Sequence, residues 1–567
     1  MNKEMKKKIE YIIADTNLVE QISKKFNISE LVATILVNRG ITDEKEIEIF
    51  LEPTRDDFHN PMTLPDIEKA ILRIEKAINN QEKVIIYGDY DVDGITSITV
   101  LKKFLEERGL KTDYYIPNRL DEGYGLNDEA IKKFAEENYT LMITVDCGIS
   151  GNKEIDLANE LGIETIITDH HEPLDILPSA YAVIDPKRED NKYPFRHLAG
   201  VGVVFKLIQA LSMHLNLEPK EYLKYLDIVC VGTISDIVPL FGENRVIAKL
   251  GMKLVEITKN IGLKSLLKAS GYKNVSSIAI SFGIAPRINA CGRMGMEKEA
   301  LKLFLTDNYD EARKITDELN EFNKERQEKE KDILVEALEK IEKYNLKDNN
   351  TLVVSGEDWH HGVIGIVASK ITEMYYKPSI LLSIEGDIAK GSGRSIEGFD
   401  LHKALCGCSD LLEKYGGHEM AVGLSLNKEN LNQFNERMQE ISSNIDLEKL
   451  IPIVKIDKVL NARDLEINNI KALKILEPFG EGNKTPVFLI KSAKIASIRA
   501  LSEGKHLKMS VNVDGKYIDV IGFQMGELVD NFLIGDKVDV AGTIDINEFN
   551  GMENIQITLK NIIKSIN

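Results

Sequence analysis

Three aspartates at every second position, Asp89, Asp91 and Asp93, lie in Tyr87-Gly88-Asp89-Tyr90-Asp91-Val92-Asp93-Gly94, directly after the apolar run Val84-Ile85-Ile86. Carboxylates this close repel one another unless a cation lies between them, so the cluster reads as a divalent-metal site at a strand end. Two other readings compete. A solvated acidic turn needs no ligand, and Asp-x-Asp-x-Asp-Gly also opens calcium loops of the EF-hand kind. The calcium loop requires a bidentate Glu at its twelfth position and a helix in front; here the twelfth residue is Val100 and a strand-like segment precedes. The strand-then-ligand pattern recurs twice. Leu141 to Val145 is followed by Asp146, and Ile163 to Thr168 by Asp169-His170-His171. Strand C-termini of an open α/β sheet converge on one edge, which would bring these ends together. Asp236, an acid inside the apolar stretch 231–240, is a fourth candidate, although alone it reads as a helix cap or a paired core acid. Carboxylates with imidazoles suit two nearby Mg²⁺ or Mn²⁺ ions, and cations about 3.5–4 Å apart are a standard device for in-line phosphoester hydrolysis.

Longer strings narrow the chemistry. Asp169-His170-His171 after a strand, with the triple-aspartate segment before it, resembles the DHH phosphoesterase superfamily. Tyr115-Ile116-Pro117-Asn118-Arg119, Leu198-Ala199-Gly200-Val201-Gly202, Arg287-Ile288-Asn289-Ala290-Cys291-Gly292-Arg293-Met294 and Gly391-Ser392-Gly393-Arg394-Ser395, in that order, resemble the RecJ-type single-strand-specific DNA exonucleases. The match runs from about Leu31 to near the C-terminus. It implies removal of nucleotides from the 5′ end of single-stranded DNA, with Asp89, Asp91, Asp93, Asp146, His170, His171 and Asp236 holding two divalent cations, Mn²⁺ or Mg²⁺. Many superfamily members carry a His four residues before Asp91, where this chain has Tyr87; that leaves the role of Asp89 open. Asp169 is the candidate to orient a ligand histidine. Arg119, Arg287 and Arg293 are expected phosphate contacts. Ser392 and Arg394 would meet a terminal phosphate, with small neighbours admitting backbone amides to it; on spacing alone the string is as readily a tight turn with a surface Arg. His418 either reaches substrate or satisfies a turn. Trp359-His360-His361 reads as a helix start rather than a second metal site, because no carboxylate pair follows at zincin-like spacing.

Several domains are needed to position such a site, and 567 residues exceed a single core. The chain reads as α/β overall. Residues 1–80 are a helical region. Residues 81–240 alternate strand and helix, giving a parallel-sheet DHH domain. Residues 241–349 are helical and end in a long connecting helix, 350–450 form a second, DHHA1-like α/β unit, and 451–567 an OB-like barrel suited to single strands. The basic cluster Arg499, Lys505, His506 and Lys508 in that barrel could contact phosphates or be an ordinary solvated hairpin. A net charge of −19 is unusual for a nucleic-acid enzyme. Part of it belongs to the ligand carboxylates and part to helices such as 323–332, which contains no apolar residue and is expected to be solvated. Five cysteines without Cys-x-x-Cys spacing argue for reduced thiols. The basic N-terminus lacks a signal-peptide core and no run of about 18 apolar residues occurs, so a cytoplasmic protein without membrane attachment is expected. Single-stranded DNA is the expected partner, with a single-strand-binding protein and a helicase as candidate protein partners. The rival functions are a DHH phosphodiesterase of short oligonucleotides or cyclic dinucleotides, and an inactive replication scaffold.

Overall fold

The computed structural model describes residues 8–118, 122, 125–443, 451–549 and 551–565. They divide into two compact units: Arg55–Leu450, and Met1–Thr54 together with Ile451–Asn567. The helices expected over 1–80 thus fall on both sides of this division. Among the described residues no helix is long and apolar enough to cross a membrane.

The larger unit begins with a five-stranded, all-parallel sheet in the order Thr112–Tyr115, Val84–Gly88, Leu141–Val145, Glu164–Thr168, Ala182–Ile184. Its strands are short, and the inner ones, Val84–Gly88, Leu141–Val145 and Glu164–Thr168, are buried almost throughout, as a sheet covered on both faces requires. Strand order reverses between Val84–Gly88 and Leu141–Val145. The crevice outside the carboxyl ends of those two strands is therefore the natural ligand position of the fold. Helix Val92–Glu106 leaves this edge buried around most of its circumference, packed by helices Gly200–His214 and Leu226–Ser235. Its internal Thr96 and Thr99 satisfy their buried hydroxyls on the carbonyls of Val92 and Ile95, at 2.7 and 2.8 Å, whereas the Ser97 hydroxyl between them is buried without a partner.

Further helices lead to the long helix Tyr309–Lys343. Its polar middle is not simply solvated. Glu330 and Asn323 are buried, and the Glu330 carboxylate receives Arg326 from its own helix and Lys370 from helix His361–Tyr375, which packs alongside. Beyond it a second sheet runs in the order Lys414–His418, Ala421–Asn427, Ile388–Arg394, Ser379–Glu385, Leu352–Glu357, parallel only in the last pair.

The smaller unit is a closed five-strand barrel with helices Thr16–Phe26, Glu30–Asn38 and Glu44–Leu51 of the N-terminal segment and the short helix Ile467–Ala472. Strand Val487–Leu501 pairs with both His506–Val513 and Lys537–Phe549, bending at two register shifts, and this closes the cylinder. Leu31, Ile35, Ile47 and Phe50 share one core with barrel residues Phe488, Ile490 and Val540. Lys8–Tyr11, expected within the helical region, is instead a strand parallel to Ile453–Ile456.

Candidate metal centre

The strand ends meet. Asp91 caps helix Val92–Glu106, accepting the amides of Asp93 and Gly94 at 2.9 and 3.1 Å, which turns Asp89 and Asp93 toward the sheet edge. Asp146 follows its strand with φ near +59°, a left-handed conformation that a short acid tolerates and that bends the chain over the crevice. His170 Nε2 then lies 3.1 Å from Asp146 Oδ1, 3.7 Å from Asp236 Oδ2 and 3.8 Å from Asp93 Oδ2. Ligand atoms fall into three overlapping groups, each within 4.8 Å: Asp89, Asp91 and Asp146; Asp93, His170 and Asp236; Asp146, His170 and His171. Asp236 is both things the sequence allowed, the C-cap of helix Leu226–Ser235 and a member of the cluster.

Two of the groups are held from behind. Both Asp93 oxygens accept amides from the first turn of helix Gly200–His214, Gly200 at 2.6 Å and Val201 at 2.7 Å. Asp169 accepts the amides of His170, His171 and Ile149 and also His171 Nδ1 at 2.7 Å, which engages both its oxygens and leaves His171 Nε2 for a ligand. Its carboxyl stays below the usual range despite burial, because of these bonds and the neighbouring histidines. His171 is raised against the same burial by Asp169. Burial holds His170 near 3, so its imidazole is neutral. Its Nε2 is buried without a hydrogen-bond partner and so is open to a ligand.

Electrostatically the cluster is incomplete. Burial, then Asp91, pushes Asp93 up to about 7. Asp146 and Asp236 are also raised, by burial and then by the other aspartates. Asp146 Oδ1 and His170 Nε2 face each other at 3.1 Å outside hydrogen-bonding geometry and are buried without a partner. Buried donors of hard oxygen and imidazole nitrogen, converging with unbalanced negative charge, fit divalent cations of the Mn²⁺ or Mg²⁺ kind.

Family models match three segments: the DHH family N-terminal domain over residues 83–233, the DHHA1 domain over 348–444 and the RecJ OB domain over 456–561. The chain is 39% identical over 552 residues to the single-stranded-DNA-specific exonuclease RecJ of Bacillus subtilis, covering 96% of this chain and 69% of that protein. To the Escherichia coli RecJ it is 33% identical over 563 residues, covering 94% and 95%. The chain belongs to the RecJ family. The crystal structure of Thermus thermophilus RecJ in complex with Mn²⁺ superposes with a TM-score of 0.86 at 29% identity, over 99% of this chain and 80% of that one.

The other residues expected of a RecJ-type chain are placed unevenly. Ser392 and Arg394 are on strand Ile388–Arg394, not in a turn, so their backbone amides are in a β-ladder and only the side chains are available to an anion. Arg394 donates to Ser392 Oγ at 3.0 Å, and both approach Gly365, where a Cβ would meet each at 3.1 Å. His418 joins this row through the register His418, Ala421, Arg394. A cleft of about 1050 Å³ has Ser392 and Lys390 on one wall and Lys329 and Glu336 of the long helix on another. Arg293 bridges, donating to Gly362 O at 2.8 Å from a helix whose Asn289 accepts the amide of Val92 in the aspartate loop. Arg287 is not brought to the site: its guanidinium is engaged by Gly283 O, Ala269 O and Asn320. Arg119 lies outside the described residues. Tyr87 donates to Gly125 O at 2.9 Å and so ties the strand end to the loop beyond it. His360 caps helix His361–Tyr375 through Nδ1, and His361 pairs with Glu385 at 2.8 Å. Two site neighbours escaped the sequence reading. Asp185, buried and pushed up to about 7 by that burial, follows strand Ala182–Ile184 with the same apolar-then-acid signature. It holds the amide of Lys187, whose charge acts on His170, His171 and Asp236.

Proposed function

We propose that the chain is a single-stranded-DNA-specific exonuclease that hydrolyses phosphodiesters from the 5′ end with two divalent cations held by Asp89, Asp91, Asp93, Asp146, His170, His171 and Asp236. The observation that carries this reading is the convergence of three carboxylate and imidazole groups at the switch point of the parallel sheet, in a chain of the RecJ family. Cations bound there would lower the pKa of an attacking water and neutralise charge on the phosphate. The protein's own part is placement. The Gly200 and Val201 amides fix Asp93, and Asp169 fixes His171. Hydrolysis at cations is indifferent to strand direction, so polarity needs an end sensor. Ser392 and Arg394, with His418 in register, are assigned to the 5′-terminal phosphate, Arg offering a forked donor that matches phosphate oxygens. Arg293 is assigned to holding the two lobes of the site together. The intact donor set argues against an inactive scaffold, and the barrel argues against a phosphodiesterase limited to short oligonucleotides. The setting is cytoplasmic, in DNA repair and recombination, with a single-strand-binding protein and a helicase as candidate partners. Timed digestion of single- and double-stranded oligonucleotides labelled at either end, with Mn²⁺, Mg²⁺ or chelator, tests this. Loss of the 5′ label first, from single strands only and only with metal, is expected; 3′ degradation or metal-free activity overturns it.

A further inference from the structure

Ile237, the residue after Asp236, combines two unfavourable features. It is β-branched yet holds φ near +62°, in the left-handed region where its branched Cβ crowds the backbone and where Gly or Asn sits more easily. Its aliphatic side chain is also 72% exposed, so little burial compensates the strained backbone. The conformation is imposed by the surroundings. Asp236 N bonds Gly232 O at 3.0 Å to end the helix, and Asn244, itself buried, donates to Pro239 O at 3.1 Å and to His197 O at 2.5 Å. Next to Asn244, Glu243 forms a fully buried pair with Lys206 of helix Gly200–His214 at 2.8 Å. Segment 236–240 is thus clamped at both ends, and the strain is concentrated on one apolar residue beside the metal cluster. Strain of this kind, over-determined by its neighbours and located at a site, points to a role in that site.

Resting on the nuclease reading above, we infer that Ile237 is a substrate contact, its side chain packing on the face of a base next to the scissile phosphate. An aliphatic contact suits an enzyme that must hold any sequence, since every base has an apolar face and none is read by hydrogen bonds. It also favours unpaired strands, whose base faces can be uncovered. Asn at this position would relieve the backbone and remove the contact, so stability and substrate affinity should move in opposite directions.

The test uses the full chain as wild type, Ile237→Asn and Ile237→Val. Melting temperature, Mn²⁺ activation midpoint, kcat and KM are measured on 5′-phosphorylated single strands, intact or with one abasic site stepped through the first nucleotides. For Ile237→Asn we expect a melting temperature at or above wild type, an unchanged Mn²⁺ midpoint and a KM raised about threefold to fivefold, below the loss expected for an aromatic stacking contact. Ile237→Val, which keeps an apolar branch, should stay close to wild type. One abasic position should raise KM for wild type and add nothing for Ile237→Asn. An unchanged KM, a lowered melting temperature for Ile237→Asn, or additive effects of substitution and abasic site would each overturn the inference. A wild-type chain inert on every strand would remove the nuclease reading and this one together. That result is distinct from an active wild type whose KM the substitution does not move.

Discussion

Gly200→Ala is a more searching test of the metal centre than deleting a ligand, because it changes only geometry. Gly200 begins the helix whose first two amides hold Asp93. A Cβ added there would lie 2.7 Å from both Cβ and Oδ1 of Asp146, a residue pinned at a strand end and unable to swing aside. Restoring even the tight limit of an ordinary 3.4 Å contact requires the helix start to retreat by about 0.7 Å. Bonds of 2.6 and 2.7 Å to Asp93 would then stretch past the normal upper limit of about 3.2 Å. The overpacking should cost about 1–3 kcal/mol of stability. Catalysis should suffer more, since misplacement by about 1 Å costs on the order of a hundredfold; we expect kcat to fall about 30- to 100-fold at saturating Mn²⁺. Gly202→Ala is the internal control. Two residues along the same helix, its Cβ would meet only Leu198 side-chain atoms at 3.3 Å, which can give way, and Ala is the better helix former by about 1 kcal/mol. Initial rates on an end-labelled single strand, across an Mn²⁺ titration, decide the matter. Equal kcat for the two variants would refute the claim that the Gly200 amide sets the position of Asp93.

Asp93 binds a proton up to about pH 7 when folded but only to about 3.9 when unfolded, so the metal-free protein should lose stability as pH rises between these values. A cation takes the place of that proton, and the rise in melting temperature on adding Mn²⁺ should therefore grow between about pH 5.5 and 8; a shrinking rise contradicts the assignment. Arg394→Ala should slow digestion of 5′-phosphorylated strands about tenfold or more relative to 5′-hydroxyl strands, the equivalent of one charge-assisted contact of about 1.5–3 kcal/mol, and an unchanged ratio of initial rates would place the end sensor elsewhere. Deleting 451–567 alone should give a poorly soluble chain, because Leu31, Ile35 and Phe50 lose their barrel partners, whereas a fragment spanning 55–443 should keep cleavage with weaker binding to long strands and a flatter salt dependence. Wild-type salt slope in that fragment would show that the barrel does not contact DNA phosphates.

Local signals made much of this protein legible. An apolar run ending in an acid is visible in a few residues, and it located Asp89 to Asp93, Asp146 and the Asp169-His170-His171 end. The same signal is present at Ala182-Val183-Ile184-Asp185, but one acid without a histidine looks ordinary in sequence. What stayed hidden depends on partners far along the chain. Asp93 is held by amides 107 and 108 positions away, Glu330 is buried by Lys370, and the strand Lys8–Tyr11 exists only because Ile453–Ile456 offers it an edge. The glycines of 391–393 suggested a loop on propensity, but pairing on both sides made them strand. Arg287, in a string that marks the family, turned out to anchor helices, a distinction that residue type alone does not make.

The division of the chain also has a consequence for its biosynthesis. The helices before Thr54 share a core with strands after Ile451, so about 400 residues must be synthesised between one half of that core and the other. At about 5–20 residues per second this is a wait of roughly 20–80 s, far longer than a helix needs to form. Throughout it, Leu31, Ile35, Ile47 and Phe50 have no native partner, while the segment that completes itself first is the one carrying the metal cluster. The nascent chain thus acquires its chemistry before its barrel, and its earliest residues are the last to be buried. A permuted gene starting at Arg55, in which the N-terminal helices follow the barrel strands, would make the two halves consecutive and shorten the wait to a few seconds.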